Sequence, residues 1–351
     1  MPSSPLSHPL PQTIKALLQP DIHSPKLILA TIPTPVATPG TTEHLIHVRS
    51  TSPCAGELTW TANISAYASL LPTLSPSSVT AKLQIPCYDL SGTVVTAPPN
   101  SPFPPGTEIY TRTSFARSGN ARAYTIALTS ELARKPSNLS WEEAASVPLS
   151  AFTAWQALYL HGGMRCVYAL DAKIENEGRT VLINAASGGV GTLLVQFAKA
   201  GGIGEVIGVC SAGNAEMVRG LGADEVLDYG REGVEAWGKR TRRKVDLVVD
   251  LLGGESLAQA WKVVKKGGRV VSIKEDPNAR KPADGVADDV EGKFFVMEPE
   301  GWQLEETAKL IEKGQVKPTV DSVWPLRDFE KAFAIVEGGH ARGKVIINVS
   351  E

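Results

Sequence analysis

One run in this sequence has the residue types and spacing for chemistry: Ala185-Ala-Ser-Gly-Gly-Val-Gly191. Ala186, Gly188 and Gly191 stand at the offsets of a dinucleotide-binding turn, with alanine in place of the first glycine. Glycine at 188 lets backbone approach a pyrophosphate, and glycine at 191 lets the next helix pack closely on its strand. Ser187, Gly189 and Val190 complete the turn, where a helix start offers free N–H groups and a positive dipole end to an anion. A second position follows from the first. About 20 residues past the glycines, an acid would bind a ribose 2′-OH. That place holds Ser211, which is neutral and carries no charge to repel a 2′-phosphate. The expected cofactor is therefore NADPH, although a serine here can also simply cap the next helix.

These residues need a strand before the turn and a helix after it. Thr180-Val-Leu-Ile-Asn184 reads as a short buried parallel strand, and Val190, Leu194, Phe197 and Ala198 recur at helical spacing. Beyond them, strands at Val206–Cys210, Glu225–Asp228, Val245–Asp250, Arg269–Ile273 and Phe294–Val296 alternate with helices at 214–221, 255–265 and 304–313. That alternation predicts a doubly wound parallel sheet. The first part of the chain differs. Its first 40 residues are rich in proline and read as a loose leader followed by extended pieces near 26–30 and 44–48. Further short strands broken by Pro/Gly turns suggest a β-rich, barrel-like domain. Ser140-Trp-Glu-Glu143 is a capping box that opens a helix.

Composition sets limits. With 351 residues, two domains are expected, and a net charge of −2 argues against nucleic acid or an anionic membrane as the main partner. No apolar run has the length of a membrane span, and the first residues lack the features of a signal peptide, so the expected location is the cytoplasm. The four cysteines form no C-x-x-C pair and the six histidines no ligand cluster, so no metal site is expected.

Several further motifs occur in order: Gly92-Thr-Val-Val95, Trp141-Glu-Glu-Ala-Ala145, Thr153-Ala-Trp-Gln-Ala-Leu158, Leu221-Gly-Ala-Asp-Glu-Val226, Asp250-Leu-Leu-Gly-Gly254, Lys266-Gly-Gly-Arg-Val270 and Arg342-Gly-Lys-Val-Ile346. With the glycine turn, they make the chain resemble the medium-chain dehydrogenase/reductase superfamily, in its zinc-independent quinone oxidoreductase and enoyl reductase branch. The resemblance implies an α/β protein. A Rossmann-type domain over 152–296 would be inserted into a GroES-like barrel catalytic domain made from 1–151 and 297–351. It places Cys54 at the first zinc-ligand position of the family's metal enzymes, but Tyr88 at the histidine position and Leu149 at the second cysteine. In NADPH-using relatives a serine and a lysine flank the 2′-phosphate; Ser211 matches the serine, and Asn214 stands at the lysine position. Tyr229 matches a tyrosine lining that pocket. Thr153, Gly253, Phe295 and Val296 match positions near the nicotinamide end, and Lys344 is placed within reach of the cofactor.

Without a metal to polarise an isolated ketone, a conjugated acceptor is the natural target, because hydride adds to carbon while charge spreads to an oxygen. The expected substrate is a quinone or an α,β-unsaturated carbonyl. Tyr67 and Tyr88 are the candidate proton donors, and Tyr88 has the alternative role of filling the vacated metal position. Glu57 and Trp60 are expected at the substrate pocket, Trp60 either as a stacking surface or as a core residue. Two rival readings stay open: a dedicated biosynthetic enoyl reductase or dehydrogenase, and a cofactor-binding protein with vestigial redox activity that serves as scaffold or cyclase. The chain is expected to work as a monomer or homodimer.

Overall fold

The computed structural model describes residues 9–67 and 74–349, apart from the side chain of Tyr67. It divides into two compact units. One comprises residues 1–149, 298–312 and 318–351; the other comprises 150–297 and 313–317.

The second unit is built on six parallel strands. Their order across the sheet is Glu225–Asp228, Glu205–Cys210, Thr180–Ile183, Val245–Asp250, Val264–Ser272 and Glu291–Phe294. Numbered along the chain, that order runs 3-2-1-4-5-6, the doubly wound arrangement whose direction reverses between the first and fourth strands. Ligands of such sheets bind beyond the carboxyl ends of the strands at this reversal. Both strands there are almost wholly apolar, as burial on two faces requires. Trp237, Leu257 and Trp261 pack over them without exposure. The last strand ends at Phe294, so Phe295 and Val296 lie beyond it and not within it. Gly268 marks where the fifth strand must approach its neighbour, since a Cβ there would lie 2.7 Å from the Asp246 carbonyl.

The first unit carries a seven-stranded sheet. Its path runs Val320–Pro325, Lys344–Asn348, Glu43–Ser52, Asp89–Thr96, Glu108–Arg112 and Ala133–Arg134, with Tyr124–Leu128 paired to Glu43–Ser52. All pairs are antiparallel except the first. The proline-rich start is more ordered than its composition suggests. Thr13–Leu18 and Ile28–Pro33 pair as antiparallel strands, because the one proline in the ladder, Pro33, stands at its end opposite Thr13 and the donors inside it are kept. Ser140 does cap its helix: its hydroxyl accepts from the Glu143 amide and the Glu143 carboxylate accepts from the Ser140 amide.

Candidate active site

The glycine turn sits where the strand Thr180–Ile183 gives way to the helix Gly189–Ala200. Ala185 turns the chain with φ of 53°, a conformation usually left to glycine. A Cβ on Gly191 would lie 2.2 Å from the Ala185 carbonyl, so only glycine lets the helix begin there. At Gly188 the nearest atom would be 3.5 Å away, so the glycine keeps a surface clear without relieving a clash. No side chain caps this helix, which leaves its first amides to a ligand. Ser187 accepts a hydrogen bond from the Asn214 amide at 3.1 Å, tying the turn to the loop after the next strand. Ser211 opens that loop and its hydroxyl makes no capping bond. The Tyr229 amide donates to the Cys210 carbonyl at 3.2 Å, bringing the exposed Tyr229 beside Ser211.

Across the reversal of the sheet, Asp250 does the positioning. Fully buried, it accepts from Asn184 Nδ2 at 3.0 Å, from the Gly253 amide at 2.7 Å and from Ser272 Oγ at 3.3 Å. One carboxylate thereby joins the ends of three adjacent strands and holds Gly253 at φ of 76°. Phe295 is buried with its ring 4.5 Å from that of His161, Val296 follows it, and Thr153 is buried in the helix Pro148–Trp155. The amides of the turn, Ser211, Asn214, Tyr229 and the Gly253 loop thus lie on one edge of this unit, and the set fits a nicotinamide dinucleotide.

In the first unit, Tyr88 is buried in an aromatic cluster. Its ring stacks on Trp60 at 6.0 Å and meets Phe115 edge-on at 5.3 Å. Its hydroxyl accepts from Lys82 Nζ at 3.0 Å, and Lys82 also donates to the carbonyls of Phe115 and Arg117. Burial, with Arg112 and Arg117 nearby, brings the Lys82 ammonium down to about 7. Burial pushes the Tyr88 phenol well above its usual range. Tyr67 ends a short helix, Ile64–Tyr67, and its side chain lies outside the described residues.

Two expected site residues also make structural bonds. Glu57 is buried, and its Oε1 accepts from the amide of Cys87, whose φ is 66°, while its Oε2 is buried without a partner among the described residues. It braces a strained turn immediately before Tyr88. Lys344 is not free to reach a cofactor. Its Nζ is buried 3.2 Å from Asp89 Oδ2 and donates to the Pro53 carbonyl at 3.2 Å. Trp60 is half-buried against Tyr88, so its ring serves the cluster as packing.

Residues 221–347 match the zinc-binding dehydrogenase family. Over 341 residues the chain is 43% identical to a probable zinc-binding oxidoreductase, mitochondrial, of Arthroderma benhamiae, covering 97% of this chain and 98% of that one. The chain belongs to the medium-chain dehydrogenase/reductase superfamily. Within it, the chloroplast envelope quinone oxidoreductase homolog of Arabidopsis thaliana is 30% identical, covering 89% of this chain and 92% of its own. The quinone oxidoreductase structure from Coxiella burnetii superposes with a TM-score of 0.77 at 24% identity, over 96% of this chain and 100% of that one, which speaks for the fold alone. This member of the superfamily is an oxidoreductase of the quinone and enoyl reductase-like kind, an enzyme for small molecules with a nicotinamide cofactor.

The superfamily's catalytic zinc does not fit the residues present. Among the described residues, no three His, Cys, Asp or Glu side chains converge as ligands. Cys54 stands without a second cysteine or a histidine at the expected ligand positions, which hold Leu149 and Tyr88. The cytoplasmic expectation is also corrected, since the fungal relative is named mitochondrial and the plant relative belongs to the chloroplast envelope. Among the described residues no helix is long and apolar enough to cross a membrane.

Lys82, Arg112 and Asp250 escaped the sequence reading. Arg112 ends one of the short strands of the β-rich domain, Glu108–Arg112, and Lys82 sits in a stretch with no periodicity. Asp250 carries a detectable signal: an acid closing a strand mostly of valine and leucine, three residues before a glycine pair.

Proposed function

We propose that this enzyme is an NADPH-dependent reductase that works without zinc, passing hydride to a quinone or an α,β-unsaturated carbonyl. The observation that carries the reading is Tyr88. Its phenol is buried and hydrogen-bonded to a lysine, and the family resemblance aligns it with the histidine ligand of the superfamily's metal enzymes. The nicotinamide, when bound, supplies the hydride. Amides of Gly189, Val190 and Gly191 hold the pyrophosphate, with Ala186, Ser187 and Gly188 shaping the turn. Ser211, Asn214 and Tyr229 receive the 2′-phosphate, while the Gly253 loop, Phe295, Val296 and Thr153 support the nicotinamide end. Tyr88 gives its proton to the reduced acceptor. Its high pKa keeps that proton in place until a stronger base forms, and Lys82 then stabilises the phenolate by a charge-assisted bond.

The test is NADPH consumption over a panel of quinones and enones, followed by the same assay with Ser211→Asp. Steady turnover is expected, and the aspartate should weaken NADPH binding by about 10- to 100-fold while NADH is affected far less. No turnover across the panel would defeat the reductase reading. Equal losses for both cofactors would defeat the 2′-phosphate assignment.

A further inference from the structure

Among the described residues Arg112 makes no ion pair, although the Asp89 carboxylate is close enough to act on its charge. It ends the strand Glu108–Arg112 directly opposite Asp89 on the neighbouring strand, a pairing that puts both side chains on one face. An ion pair would be the ordinary result. Instead Asp89 turns away: Oδ1 accepts from the Leu149 amide at 2.7 Å, and Oδ2 faces Lys344 at 3.2 Å. The Arg112 guanidinium is left buried, at 5% exposure, with its Nε unpartnered and no hydrogen bond or ion pair among the described residues. Arginine cannot shed its proton to escape such a place, so a charge of this kind is costly unless something joins it.

The surroundings say what would join it. The Arg112 guanidinium lies 5.6 Å from the centre of the Tyr88 ring, which stacks on Trp60 and meets Phe115. Nearby acids are already committed. Asp89 serves Lys344, Glu131 accepts from Arg117 at 2.6 Å, and burial pushes Glu57 up to about 8, so it is mostly protonated at neutral pH. Arg122 adds positive charge and bonds only to neutral oxygens, and Lys82, brought down to about 7, adds part of a charge. Cations in excess beside flat aromatic faces suit a planar molecule bearing negative charge on oxygen.

We propose that Arg112 receives the carbonyl oxygen of the acceptor and holds the negative charge that reduction places there. A guanidinium would thus supply the charge that zinc supplies in metal-containing relatives. This rests on the reductase reading given above. As hydride adds to the acceptor carbon, the displaced π pair moves to the carbonyl oxygen, which becomes an enolate oxygen bonded to Arg112. The proton from Tyr88 then completes the reduction; with a quinone, a ring proton also shifts from carbon to oxygen to give the hydroquinone.

The experiment compares wild type, Arg112→Met and Arg112→Lys, each loaded with NADPH. Methionine should fold normally, because an apolar residue replaces a buried unpaired charge. Benzoate, a planar oxyanion, is titrated calorimetrically, and hydride transfer to benzoquinone and to 3-penten-2-one is followed in single turnovers. Arg112→Met should bind benzoate about tenfold more weakly or worse, and transfer hydride about 100- to 1,000-fold more slowly, with NADPH affinity kept within about twofold. Arg112→Lys should recover part of both losses. The proposal is overturned if Arg112→Met keeps wild-type hydride transfer and benzoate either binds both proteins alike or binds neither. Arg112-dependent benzoate binding in a protein that reduces nothing would keep the anion site and discard the redox reading. Normal turnover by both proteins would do the reverse.

Discussion

At the scale of single residues, burial sets the behaviour of the groups around Tyr88. Glu57 is the clearest case. Removal from water raises its pKa to about 8 from an ordinary 4.5, against the opposing pull of the Cys87 amide and the Lys344 ammonium. Between those two values the folded carboxyl keeps a proton that the unfolded chain has lost. Its contribution is therefore whole below pH 4.5 and disappears as the pH rises through about 8. Glu57→Gln keeps an oxygen for the Cys87 amide but removes the titration. Denaturant midpoints measured from pH 4.5 to 8.5 should show the variant gaining on wild type as pH rises, by roughly 2–4 kcal/mol at the upper end. A difference that stays flat across the range would mean that the carboxyl is already ionised in the folded protein.

At the scale of elements, the turn between the strand Thr180–Ile183 and the helix Gly189–Ala200 separates two uses of glycine. Gly191 is needed for packing, since a Cβ would lie 2.2 Å from the Ala185 carbonyl and 2.7 Å from Ala186 Cα. Gly188 has room for a methyl group, with nothing nearer than 3.5 Å. Alanine at 191 should lower thermal stability by about 1–3 kcal/mol and weaken NADPH binding together. Alanine at 188 should leave the melting temperature close to wild type and yet weaken NADPH about tenfold, because the methyl occupies the surface that a pyrophosphate would use. Equal melting temperatures for the two variants, checked by calorimetry, would contradict this division of roles.

At the scale of the whole molecule, the first unit is assembled from distant parts of the chain. Ser50 donates to Asn348, 298 positions away, and Lys344 donates to the Pro53 carbonyl across 291 positions. The Lys344–Asp89 pair stitches the closing strand into this sheet, with both side chains buried. Lys344→Ala leaves the buried Asp89 carboxylate without its ammonium partner and should cost about 3–5 kcal/mol of unfolding free energy. Adding Asp89→Asn should recover much of that loss, since the pair's desolvation is then removed with its attraction. A urea titration of the single and double variants decides it. If the two changes simply add, the ion pair is not what joins these strands.

The sequence by itself determined the parts governed by local rules. A strand, a glycine turn and a helix follow one another over fewer than two dozen residues, so periodicity and the missing side chains at 188 and 191 announce them. The Ser140–Glu143 cap and the neutral Ser211 are legible for the same reason. The extended piece expected near 26–30 falls on the strand Ile28–Pro33, but its partner Thr13–Leu18 was hidden, because proline content says where backbone donors are missing and not where a segment finds its partner. What the polar side chains do was decided only by tertiary structure. Lys344, Glu57 and Asp89 lie far apart in the chain, and desolvation and pairing turn them into buried struts. Arg112 makes no direct ion pair with the acid opposite it, whose carboxylate is engaged by Lys344 and Leu149. Charge balance inside a fold depends on which groups meet, and that depends on the completed packing.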